Sequence, residues 1–245
     1  MIKYRLTVEY DGSSFFGWQR QKKFRNTVQE EIETVLEKLV KEKTTVTGAG
    51  RTDTGVHAYE QTAHFNTNTV INDKVRFIYS MNSMLPKSIT IKSLKKTGKD
   101  FHARYSAKKR EYIYKITTKD ISIGRQYYYK LNYKLDFKVI DEFIKILTGY
   151  KSFKPLCKNA EDKHGFYCRI MNLNYRINKA KGTIDFRITA DRFLHSMVRA
   201  VIGLLIDLGR GRLDPDETVI KFNNGEKIKT TYLPANALFL NKIYY

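Results

Sequence analysis

The chain has 245 residues, 42% of them hydrophobic and 29% charged, with 45 Lys and Arg against 25 Asp and Glu for a formal net charge of +20. This is an ordinary soluble globular composition, long enough for one large or two small cored domains, and the surplus of cations predicts a polyanionic partner. The opening Met1-Ile2-Lys3-Tyr4-Arg5 is broken by charge too early for a signal or transit peptide. No apolar run approaches the roughly 18 residues of a membrane span, so no membrane partner is expected, and so low a cysteine count fits a reducing cytoplasm. Cys157 and Cys168 are the only cysteines, which excludes a disulfide framework and a zinc set. The 17 Tyr and 14 Phe, interleaved with cations, suit the faces of unpaired bases.

The pattern along the chain predicts α+β structure. Tyr4–Tyr10 alternates as a strand. Thr27 and Glu30 form a capping box before a helix carrying Val28, Ile32, Val35, Leu36, Leu39 and Val40. Thr44–Thr47 and Val56–Phe65 read as strands. A helix from about Asp73 to Leu85 carries Val75, Ile78, Tyr79 and Met81 and stops at Pro86, and Ile89–Leu94 alternates as a strand. That order, β-α-β-β-α-β, is the ferredoxin-like split.

The second half repeats the order. Glu111–Thr117 is a strand, and Val139–Leu147 a helix with Ile140, Phe143, Ile144 and Leu147 on one stripe. Met171–Ile177 and Thr183–Thr189 form a hairpin across Lys181-Gly182. Leu194–Leu208 is an apolar helix, Asp214–Phe222 a shorter one, and Ala237–Ile243 a closing strand. The Tyr-rich stretch Gln126–Tyr133 fits either class. The expected architecture is two ferredoxin-like or RRM-like halves, 1–104 and 105–245, forming a continuous, mainly antiparallel sheet with flanking helices and a central basic cleft.

The densest local signal is Gly48-Ala49-Gly50-Arg51-Thr52-Asp53-Thr54-Gly55-Val56-His57-Ala58. Three glycines in eight residues mark a loop that bends sharply or lies against a ligand. It falls between two strands, where catalytic side chains sit on a rigid scaffold. A plain β-turn also favours Gly, Asp and Thr, and for a lone loop of this kind that is the commoner outcome. The Gly-Lys-Ser/Thr ending of a P-loop is missing.

The whole string closely resembles the signature loop of the TruA family of tRNA pseudouridine synthases. Other landmarks follow in that family's order: Tyr10-Asp11-Gly12, Phe16-Gly17-Trp18-Gln19, Thr27-Val28-Gln29, Phe101-His102-Ala103-Arg104, Lys109-Arg110-Glu111-Tyr112-Ile113-Tyr114 and Phe193-Leu194-His195-Ser196-Met197-Val198-Arg199. The resemblance spans nearly the whole chain. It implies a cofactor-free homodimeric isomerase that converts uridine to pseudouridine in structured RNA, most often in the anticodon stem-loop of tRNA at positions 38 to 40. It makes Asp53 the nucleophile, attacking either the sugar C1′ or the base C6. It makes Arg199 the cation that pairs with the catalytic carboxylate, and Tyr112 the active-site ring that stacks on the uracil and helps move the C5 proton. Arg51 holds the extruded nucleotide, and Leu238 lines the pocket.

Each of these residues also has a plain reading: Arg199 as the polar face of an apolar helix, Tyr112 and Leu238 as core, Arg51 as a solvated turn cation. Candidate phosphate contacts are Arg20, Lys22, Lys23 and Arg25 after the first strand and Lys108–Arg110, any one of which alone is more often a solvated charge. His57, His64, His102, His164 and His195 have no metal-ligand spacing. His57 stands close enough to Asp53 to raise a hydrolase dyad, but no Ser or Cys elbow accompanies it.

Two segments depart from the family. In Leu233–Leu240, a Gly is usual where Ala237 stands and an Ala is common where Leu233 stands. Lys158–Gly165 is unlike the usual loop. These departures leave open ribosomal RNA as the substrate. A non-catalytic RRM-like RNA-binding protein and a carboxylate-dependent glycosidase are further alternatives. The RRM aromatic signature is absent from the expected third strands, and no second catalytic carboxylate stands out.

Overall fold

The computed structural model describes residues 1–22, 24–157 and 165–245. Lys23 and the divergent segment 158–164, with His164, lie outside the described residues. In chain order the described elements are β1 (Ile2–Tyr10), α1 (Val28–Val40), β2 (Thr47–Gly48), β3 (His57–Thr67), α2 (Lys74–Met84), β4 (Ile89–Thr97), β5 (Lys109–Thr117), β6 (Tyr129–Lys130), α3 (Phe137–Leu147), β7 (Gly149–Ser152), β8 (Tyr167–Asn178), β9 (Thr183–Ala190), α4 (Met197–Gly209), α5 (Pro215–Asn224) and β10 (Leu238–Tyr244). The class is α+β, as the periodicities require. The chain divides into two compact units, Met1–Lys108 with Phe239–Tyr245, and Lys109–Leu238.

In the first unit β1 lies between β3 and β4, antiparallel to both. β2 pairs with one end of β3 through Thr47 and His64, and β10 runs parallel beside its other end, with Phe239 opposite His57. Strand alternation buries Tyr4, Leu6, Val8 and Tyr10 of β1. Helix α1 buries Val28, Ile32, Val35, Leu36 and Val40, a stripe at helical spacing. Its N-cap is Thr27, whose hydroxyl accepts from Glu30 N–H at 3.3 Å. In α2 only Met81 is buried. Val75 is 81% exposed and Tyr79 74%, so these two apolar positions face away from the core.

In the second unit β5, β9, β8 and β7 form an antiparallel run, and β6 lies parallel to the far end of β5. The β8–β9 hairpin turns through Gly182 at φ +65°, a conformation that glycine adopts without cost. Helix α4 is buried along nearly its whole length. A Cβ at Gly203 would stand 1.7 Å from Thr231 O, so the 230–231 segment rests directly on the helix backbone. At the end of α4 the buried Asp207 carboxylate accepts from Thr231 N–H at 2.7 Å, Thr231 Oγ1 at 3.0 Å and Arg210 at 2.7 Å.

The structure differs from the sequence reading in small elements. The strand expected at Thr44–Thr47 shrinks to Thr47–Gly48. Gln126–Tyr133 resolves into a 3-10 turn, Arg125–Tyr127, followed by the two-residue β6. β7 has only four residues and too little alternation to be seen in the sequence. Among the described residues no helix is long and apolar enough to cross a membrane.

Candidate active site

The Asp53 loop is fixed by three close backbone approaches, each at a glycine. A Cβ at Gly12 would lie 2.1 Å from Val56 O. One at Gly17, where φ is +83°, would lie 2.5 Å from Thr52 O and 3.2 Å from the Asp53 carbonyl carbon. One at Gly48 would lie 2.5 Å from the Trp18 ring nitrogen. Real Cβ contacts do not occur at such distances, so any side chain at these positions would displace the loop. Hydrogen bonds complete the scaffold. Trp18 N–H donates to Thr52 O at 3.2 Å, and Val56 N–H to Asp53 O at 3.1 Å across a turn with Gly55 at φ +80°. Tyr10 and Thr52 hydroxyls meet at 2.8 Å. Thr52 is buried and Asp53 half-buried, so Asp53 sits on a tightly fixed bend that is not closed off from solvent.

Arg51 is exposed on the same loop, and its position is set by residues of the preceding segment. Its Nε donates to Gln19 Oε1 at 3.2 Å. Gln19 Nε2 donates in turn to Gln29 Oε1 at 2.7 Å, which also accepts from Arg20 N–H at 3.0 Å. Gln29 Nε2 reaches Glu33 Oε1 at 2.8 Å, and Val46 N–H donates to the same oxygen at 2.9 Å. Arg20 forms an ion pair with Glu33 Oε2 at 2.8 Å, outside hydrogen-bond geometry. The chain of amides from α1 to Arg51 was not anticipated from the sequence. Gln19 and Gln29 stood in the quoted motifs, but nothing in their spacing shows that they touch.

Three other predicted residues, Tyr112, Arg199 and Leu238, belong to the second unit. Tyr112 of β5 is buried and meets Phe193 edge-on at 5.2 Å. Arg199 lies in the first turn of α4 and is half-buried, its Nε donating to Leu233 O. Tyr114, two residues beyond Tyr112 and on the same strand face, donates its hydroxyl to Pro234 O at 2.9 Å. Burial pushes the Tyr114 phenol well above its ordinary range, and the Arg199 charge opposes that shift. Arg199 and Tyr114 therefore hold consecutive carbonyls of the divergent Leu233–Leu240 segment. Within it Leu233 and Ala237 are wholly buried and Leu238 is 5% exposed. Ser196, just before α4, has φ +56°, a left-handed conformation unusual for a serine.

The remaining candidates fall elsewhere. His57 is buried, with Nδ1 3.0 Å from both Gly12 N and Asp11 Oδ1 and its ring stacked on Phe239 at 4.6 Å, so it is built into the scaffold beneath the loop. Arg20, Lys22 and Arg25 are exposed. Lys108 N–H donates to Tyr244 O at 2.8 Å, and Arg110 to Asp191 O at 2.6 Å. His195 is exposed. No group of three His, Cys, Asp or Glu among the described residues could hold a metal ion.

The family model described as tRNA pseudouridine synthase matches residues 6–106 and 143–245. A relative from Chlorobium phaeovibrioides, "tRNA pseudouridine synthase A", is 37% identical over the full length of both chains. One of the same name from Pelodictyon phaeoclathratiforme is 41% identical over 87% of this chain and 86% of its own. "tRNA pseudouridine synthase A 2" from Clostridium perfringens is 34% identical over the full length of both. Among solved structures, a chain of a Cbf5-Nop10-Gar1 complex is similar at a TM-score of 0.37 and 12% identity, over 83% of this chain and 45% of that one, a likeness too slight to bear on fold or function. The family match and the full-length relatives place this chain in the tRNA pseudouridine synthase family.

Proposed function

We propose that the protein isomerises uridine to pseudouridine in structured tRNA, at anticodon stem-loop positions 38 to 40, with Asp53 as nucleophile. The observation that carries the reading is the Asp53 bend itself, locked by Gly12, Gly17 and Gly48, with Asp53 half-buried on it. A preordered group of this kind meets the demand of the reaction, in which a detached uracil must be kept in place while it turns. The N1–C1′ bond breaks, a C5–C1′ bond forms, C5 loses its proton and N1 regains one. The carboxylate adds to C1′ or to C6 and is expelled before the product forms. Atoms and electrons balance within the nucleotide, so the step calls on no co-reactant. Tyr112, Arg199, Arg51 and Leu238 are proposed to serve the same reaction.

The charge of +20 supports binding dominated by phosphate contacts, and log affinity should fall by roughly 0.7 to 0.9 per contact with log salt. Extruding the target uridine costs a few kcal/mol, less in a loop than in a duplex. The reading includes a cytoplasmic homodimer, which light scattering in solution would check. The decisive test is Asp53→Asn with a tRNA transcript. Loss of pseudouridine with retained RNA binding is expected, and unchanged product would overturn the assignment. Pseudouridine mapping in RNA from cells with and without the protein separates tRNA from ribosomal RNA as substrate.

A further inference from the structure

Between β1 and α1 the chain places two aromatic side chains inward and two outward. Phe15 and Trp18 are 3% and 1% exposed, whereas Phe16 and Phe24 are 43% and 48% exposed. The two outward rings stack on each other, with centroids 5.0 Å apart and planes at 30°. The loop that carries them is stitched. Phe16 N–H donates to Asn26 O at 3.0 Å, Val28 N–H to Gly17 O at 3.2 Å, Gln21 Nε2 to Phe16 O at 2.9 Å and Asn26 Nδ2 to Ser14 O at 2.6 Å. Asn26 takes φ +67°, a conformation Asn tolerates better than most residues. An exposed ring pair on so tied a loop is a prepared apolar surface.

Its surroundings are cationic. Arg20, Lys22 and Arg25 lie on the same loop and are exposed, and Arg20 is steadied by Glu33. Phe16 is one residue, about 3.8 Å of chain, from Gly17, whose backbone lies against Thr52 and Asp53. Aromatic faces flanked by cations match a single-stranded nucleic acid, with bases on the rings and phosphates on the charges. An apolar protein surface would cover the rings but leave Arg20, Lys22 and Arg25 without a counterpart on the partner.

We infer that the stacked Phe16–Phe24 pair is a platform for an unpaired base of the RNA substrate, flanking the uridine presented to the Asp53 loop. The inference rests on the RNA-isomerase reading and adds to it a specificity element. Duplex RNA offers no free face for the rings, so the platform favours targets in or beside loops. Lys22 and Arg25 hold the backbone of the same unpaired stretch.

The test uses tRNA anticodon stem-loops with 2-aminopurine placed at each loop position in turn, bound to the wild-type protein and to paired variants. Stacking should quench the probe at one position. Phe16→Ala with Phe24→Ala, and Phe16→Leu with Phe24→Leu, should abolish that quenching and weaken loop-RNA binding roughly 5- to 100-fold. Phe16→Tyr with Phe24→Tyr should keep both. Binding of a loop-free duplex should be the same for all. If the alanine pair fails to fold, the leucine and tyrosine pairs, which keep apolar bulk, still decide. Leucine variants that bind and quench like the wild type, or a wild type that quenches no position, would overturn the platform. Quenching needs no turnover, so a wild type that quenches but forms no pseudouridine faults the activity reading and not the platform.

Discussion

Arg199 and Leu233 clasp each other twice: the Arg199 guanidinium donates through Nε to Leu233 O, and Leu233 N–H points back at Arg199 O at a long 3.5 Å. The first turn of α4 and the start of the divergent C-terminal segment thus move as one piece. Tyr114 fixes the next carbonyl. An ammonium on a flexible stem cannot reproduce a donor at Nε. Arg199→Lys should therefore cost about 1–3 kcal/mol of stability, because a partly buried carbonyl loses its donor. If Arg199 also serves the reaction as proposed, kcat should fall by about 10² or more with RNA affinity little changed. Chemical denaturation and single-turnover kinetics separate the two effects.

Gly17 has both an unfavourable φ for other residues and no room for a Cβ. Gly17→Ala should destabilise the protein by about 1–3 kcal/mol. The nearest atoms are the Thr52 and Asp53 backbone, so turnover should fall more than a stability loss of that size explains. Thermal melts alongside kcat at a temperature where the variant is fully folded would show this, and unaltered turnover would mean that the loop adjusts freely.

Asp207 has no exposed side-chain surface and faces Arg210, Arg212, Thr230 and Thr231. Asp207→Ala leaves cations and a backbone N–H without their acceptor. A loss of about 3–5 kcal/mol is expected, read as a shift in the denaturant midpoint.

His64 should make the protein acid-sensitive. Burial, then the neighbouring His102 and Lys3, push its pKa down to about 4, while a hydrogen bond with the Thr47 backbone acts weakly the other way. Its Nδ1 accepts from Ala103 N–H at 3.1 Å, a bond that protonation there removes. The unfolded chain takes up this proton near 6.5, and the folded one only near 4. Stability from the neutral ring is complete above about pH 6.5 and declines as pH falls towards 4. The melting temperature should drop across that window, and His64→Gln, which keeps an acceptor and a donor, should flatten the drop. Equal slopes for the two proteins would assign the acid loss to other groups.

Much of this architecture is written locally. The Thr27 cap, the stripe of α1 and the alternation of β1 each follow from a few neighbouring residues, and the glycine-dense string announces a constrained bend. Contacts between residues far apart in sequence are not visible that way. Nothing local shows that Gln19 and Gln29 meet to place Arg51, or that Tyr114 reaches Pro234. Asp207 reads as one acid at the end of an apolar helix until the 230–231 segment is laid across it. Apolar spacing also misleads where an element is only half covered, as Val75 and Tyr79 of α2 show. Of the glycines in that string, Gly48 would set its missing Cβ 2.5 Å from the Trp18 ring nitrogen while Gly50 has nothing within 4 Å, a difference that only the tertiary structure shows.

The return of β10 to the first unit has a consequence for biosynthesis. Phe239 stacks on His57 and on Tyr59, at the start of the strand that follows the Asp53 bend. Residues 1–108 leave the ribosome first, yet this edge stays unfinished until all of 109–238 has been made. A chain cut short before residue 239 therefore carries every side chain of the Asp53 loop but lacks the strand that braces it.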